Sequence, residues 1–171
     1  MRLDGFQLQQ CEQQARLFES LDRRNVDARP FIRAYMNSKA VEGLDADYDR
    51  MQWAGEQYIF EEVMEEAGLK PDPNCERYNI EALFYAGWIY RFWHYMTGES
   101  SKEIFRQADE DEILGSYGLH IEANELAVED LKAAARTAGC GADDAAGADR
   151  AGLFGVCNGG GVTDGSKKRT E

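Results

Sequence analysis

The strongest constraint on how this chain can fold is the segment YNIEALFYAGWIYRFWHYM, residues 78 to 96. Eight of the chain's nineteen Phe, Trp and Tyr residues fall in it, with one of its two histidines. At about 100° per residue, Phe84, Tyr85, Ala86, Trp88, Ile89, Phe92, Trp93, Tyr95 and Met96 share one arc of roughly 200°. Each aromatic side chain buries about 150 to 250 Å². The segment therefore predicts a central core helix covered from two or more sides.

Gly87, Tyr90, Arg91 and His94 are left over on the opposite side of that helix. A glycine inside a helix costs about 1 kcal/mol relative to alanine, so Gly87 predicts that something approaches closely there. One reading is a neighbouring helix, with Tyr90, Arg91 and His94 as the polar rim of the contact. The other is a binding patch for a ligand or partner, with Arg91 as a fixed cation and Tyr90 and His94, four residues apart, as hydrogen-bonding groups.

The remaining sequence reads as helices with punctuation. An amphipathic pattern runs from Asp4 to Arg23 through Leu8, Cys11, Ala15 and Phe18, with polar residues between. Asp27 caps a second helix that carries Pro30 in its first turn and stops at Asn37-Ser38. SKAVEGLDA reads as a turn, and Ala46 to Ala67 as one long helix that Gly68 ends. Ser100 with Glu103, and Asp109 with Glu112, have capping-box spacing and open two short helices. A last helix spans about Glu122 to Arg136, and no stretch alternates as a strand does. The expected fold is all-α, a compact bundle of about five to seven helices around the aromatic one.

At Thr137 the composition changes. Residues 137 to 171 hold nine of the seventeen glycines and almost no helical periodicity, which predicts a disordered tail after a single domain of residues 1 to 136. The tail has five acids and four bases, so the first 136 residues carry −12 of the formal charge of −13. Such a body repels phosphate backbones at long range, which argues against direct nucleic-acid binding and favours a basic protein partner.

No catalytic, metal or cofactor motif accompanies this architecture. Cys11, Cys75, Cys140 and Cys157 are dispersed and read as reduced thiols. Glu61, Glu62, Glu65 and Glu66 point around their helix and read as a solvated face, and Gly159 to Gly161 lack the strand and the GK[ST] of a phosphate loop. No segment has signal-peptide or membrane-spanning character, so a cytoplasmic protein away from membranes is expected. His120 precedes the last helix, where an imidazole commonly caps backbone groups.

MNSKAVEGLDADYDRMQWAGEQYIFEEV, YAGWIYRFWHYMTGESSKEIF and YGLHIEANELAVEDL together resemble a group of small helical bacterial proteins found in toxin–antitoxin-like gene neighbourhoods. The resemblance covers about Phe31 to Leu131. SSKEIFRQADEDEILGSYGLHIEANELAVEDL also resembles a short helical domain that occurs beside ADP-ribosyltransferase-like toxins and usually reads Leu-His-Thr before its last helix. His120 matches that pattern, and Ile121 stands where the Thr is usual. The resemblance implies a gene neighbourhood and nothing about catalytic residues; together with the −12 body and the absent active-site motif it supports a non-enzymatic protein-binding role, as an antitoxin or accessory subunit. The alternative is an enzyme or small-ligand binder with a pocket built from Tyr90, Arg91, His94 and His120.

Overall fold

The computed structural model describes residues 2–119 and 123–147, with side chains through Ala138. Eight α-helices and one 3-10 turn make up the described residues, and no strand occurs among them. In chain order they are α1 (Gly5–Glu19), α2 (Ala28–Met36), α3 (Lys39–Asp45), the 3-10 turn (Arg50–Trp53), α4 (Glu56–Ala67), α5 (Ile80–Thr97), α6 (Ser101–Gln107), α7 (Glu110–Gly115) and α8 (Asn124–Gly147).

Local chemistry sets most of these boundaries. Side chains of Asp4, Asp27, Ser38, Asn79, Ser100 and Asp109 each accept from a free first-turn amide, and those of Asp4, Ser100 and Asp109 complete reciprocal capping boxes. Gly68 (φ 63°) and Gly98 (φ 73°) end α4 and α5 in the left-handed conformation that side chains disfavour.

Several expected boundaries shift. SKAVEGLDA is not a turn, because Ser38 caps α3 through the Val41 amide at 3.2 Å. The long helix expected from Ala46 to Ala67 is broken: the Asp49 carboxylate accepts from the Met51 amide at 2.8 Å to start the 3-10 turn, and α4 begins only after Gly55. α1 ends at Glu19, four residues early. α8 continues past Arg136 to Gly147 through an alanine-rich run that favours helix. The rest of the expected tail, residues 148 to 171, lies outside the described residues.

α5 is the axis of the core, and its contact with α1 is the most extensive among the described residues. A Cβ added to Gly87 would lie 2.6 Å from the Gln14 carbonyl oxygen and 2.7 Å from Ala15 Cα, so the two helices touch backbone to backbone. The neighbouring-helix reading of Gly87 is the geometry found. Around that contact Phe18, Phe31, Tyr35, Ile89 and Trp93 are buried, with Phe18 edge-on to Tyr35 at 5.1 Å.

The predicted orientation of α5 needs correction. Gly87, Tyr90 and Arg91 are buried, whereas Phe84 and Trp88, at one edge of the predicted arc, are only half-buried. A helix covered on most of its circumference has little apolar asymmetry from which to read a direction. Two specific interactions set it instead: the approach allowed by Gly87 and the neutralisation of Arg91.

Candidate functional site

Arg91, on α5, lies 1% exposed at the junction of α1, α3 and α6. Its Nη1 donates to Asp45 Oδ1 at 2.7 Å and its Nε to Gln14 Oε1 at 2.9 Å. Tyr35 donates to the same Gln14 oxygen at 3.1 Å. Asp45, the last residue of α3, also accepts from the Ser101 amide at 2.6 Å and hydroxyl at 2.9 Å, and so caps α6 from another helix. One carboxylate thereby neutralises a buried cation and closes a helix end. Removing either partner of such a pair strands the other in a poorly solvated site.

His94 sits on the rim of this network, its Nδ1 2.8 Å from the Glu99 carbonyl oxygen and 3.8 Å from Asp45 Oδ1. A carbonyl oxygen only accepts, so Nδ1 carries the proton. Burial lowers the imidazole pKa and the nearby Arg91 charge adds to the effect, with Asp45 opposing it more weakly. Beside it the Glu99 carboxylate accepts from Trp93 Nε1 at 2.8 Å, Lys132 Nζ at 2.7 Å and Gln107 Nε2 at 3.1 Å, joining α5, α6 and α8. Its burial alone would raise the pKa, but the hydrogen bonds from Lys132, Trp93, Thr97 and Gln107 outweigh it and hold the group at about 2.

The patch expected from Tyr90, Arg91 and His94 is therefore corrected to a set of interior supports. Tyr90 is fully buried and donates to the Ala108 carbonyl at 2.9 Å, at the end of α6. Arg91 and His94 converge on Asp45, while Tyr90 serves a different contact. His120 lies outside the described residues. The carboxylates of Glu61, Glu62, Glu65 and Glu66 are exposed, as the solvated-face reading expects. No group of three His, Cys, Asp or Glu residues among the described residues is placed to hold a metal ion. Cys11 is buried and its thiol is pushed up to about 12 by burial, which makes it unreactive near neutral pH.

The accessible chemistry lies instead around the break between α3 and α4. Trp53 is 78% exposed and Tyr48, with φ 63°, is 98% exposed. Trp53 forms the ridge between two hollows: one of about 410 Å³ shared with Phe6, Gln9, Gln13 and Glu56, the other of about 330 Å³ shared with Arg50 and Tyr58. Phe6 lies 5.5 Å from the Trp53 ring. α1 pins the segment from beneath, with Gln10 Nε2 donating to the Gln52 carbonyl at 2.8 Å and Gln13 Nε2 to the Ala54 carbonyl at 2.6 Å. An indole this exposed on a backbone this well tied is a preorganised contact, since little freedom is left to lose on binding.

Sequence reasoning missed both groups. Gln10 and Gln14 look solvent-facing among the polar residues of α1 yet are buried, and Asp45 gives no local sign of a partner forty-six residues away. In the long helix expected from Ala46 to Ala67, Trp53 would fall on a flanking apolar stripe. The Asp49 cap and Gly55 were the available signals for its exposure. Comparison of the chain with protein-family models, curated proteins and solved structures yields no match. Among the described residues, no helix is long and apolar enough to cross a membrane.

Proposed function

We propose that this protein is a non-enzymatic, acidic helical module that binds a basic protein partner through the surface built on Trp53. The exposed indole between two hollows carries the reading. Single apolar residues on a surface are ordinary, but a tryptophan with Phe6 and Tyr58 beside it and glutamine bonds holding its backbone has the makeup of an interface anchor. Asp47 and Asp49 adjoin it in sequence, and a body carrying −12 favours a positively charged partner and disfavours nucleic acid. An antitoxin or accessory subunit of a toxin system is one form of this role, and that form rests on the resemblance alone.

The supporting test is affinity capture from the native host with three baits: the unaltered protein, Trp53→Ala and Lys70→Ala. A protein retained by the first and third baits and lost from the second, then reconstituted from purified components, is the expected result. Equal recovery on all three baits overturns the assignment of the surface. An enzymatic reading built on Tyr90, Arg91 and His94 loses its support once Tyr90 and Arg91 are buried in structural bonds.

A further inference from the structure

A second accessible feature lies along the N-terminal half of α5, about two turns before Arg91. Phe84 and Trp88, one turn apart, stack with ring centroids 6.4 Å apart and planes 16° from parallel. Tyr85 and Tyr117 meet at 5.7 Å in an edge-on pair. These four rings line an open cleft of about 580 Å³, whose remaining lining residues are Glu19, Glu81 and Asn124. Glu81 accepts from the Tyr117 hydroxyl at 2.5 Å, and Glu19 makes no ion pair among the described residues. Among the described residues, no basic side chain lines the cleft.

Aromatic faces carry negative potential and attract cations within about 6 Å of the ring centroid. The carboxylates of Glu19 and Glu81 add full charges at the same opening. A partly desolvated cation with an apolar or planar envelope fits both surfaces, and guanidinium is the side-chain group that stacks on rings while donating to carboxylates. We propose that this cleft receives an arginine side chain of the basic partner, its guanidinium against the Phe84–Trp88 stack and hydrogen-bonded to Glu19 or Glu81. The inference rests on the protein-binding reading and adds a second, chemically specific contact to it.

Two-dimensional NMR of the full chain, titrated with acetyl-arginine amide at physiological salt, tests it. The Trp88 indole Nε1–H resonance is expected to shift saturably, and neutral acetyl-citrulline amide to bind about fivefold more weakly or less. Trp88→Leu should abolish the accompanying saturable shifts of the Glu81, Phe84 and Tyr85 backbone amides, and Glu19→Gln, which leaves the core untouched, should weaken them. Equal responses to the two probes overturn the proposal, as does a response that survives Trp88→Leu and Glu19→Gln unchanged. If arginine fails here while a Trp53-dependent partner is still captured, this inference falls alone. If arginine binds but no partner depends on Trp53, the cleft stands and the proposed function falls.

Discussion

Arg91→Ala is the perturbation that separates an interior support from a binding residue. The substitution removes the Asp45 and Gln14 bonds of a guanidinium that is 1% exposed. Breaking one side of a buried pair costs about 3 to 5 kcal/mol, mostly through the charge left behind. Asp45 would keep both Ser101 donors, and its side chain is 11% exposed, so the lower end applies: about 3 kcal/mol. For a chain of this size that is a fall in Tm of about 6 to 12 °C. Urea melts followed by circular dichroism measure it, and Asp45→Ala with the double variant completes the cycle. The double variant should lose much less than the sum of the two single ones. A loss below about 1 kcal/mol for Arg91→Ala would show that the guanidinium reaches solvent and would refute the interior role.

Gly87→Ala gains about 1 kcal/mol of helix propensity but drives a methyl into the α1 backbone, so a net loss of about 2 kcal/mol is expected in the same melts, and equal or greater stability would contradict the packing. Trp93→Ala, emptying a fully buried site, should cost about 3 to 5 kcal/mol, whereas Trp88→Ala, on the half-buried side, should cost less than half as much; the reverse order would show the helix phase to be wrong. For pH, the folded state holds His94 below its ordinary pKa, so it binds fewer protons than the unfolded state and stability should decline as pH falls through about 6.5 and below. Glu99, held at about 2, should add a second decline as pH falls from about 4.5 towards 2. Thermal melts across pH check both, with His94→Asn removing the upper slope and Glu99→Gln the lower.

What could be read from the sequence was what local chemistry determines. The caps at Asp27, Ser100 and Asp109, the stop at Gly68, and the close approach at Gly87 each depend on residues a few positions apart. The orientation of α5 was not readable, because apolar residues surround it and the deciding partners, Gln14 and Asp45, are far away in the chain. That distance also made Arg91 resemble an exposed functional cation. Polar character was a poor guide to exposure in α1, where Gln10 and Gln14 are buried because their amides reach the Gln52 carbonyl and Arg91. Apolar character misled in the same way around Trp53, since nothing in a helical wheel reveals that the wheel itself breaks at Asp49 and Gly55.

The most direct test of the protein-binding account is the dissociation constant of the purified partner for the unaltered chain and for Trp53→Ala, measured by calorimetry alongside the Tm of each. A central tryptophan anchor contributes about 2 kcal/mol or more, so the account predicts affinity weakened by about 30-fold with Tm unchanged. Affinity within about twofold of the unaltered protein, at unchanged Tm, would contradict it.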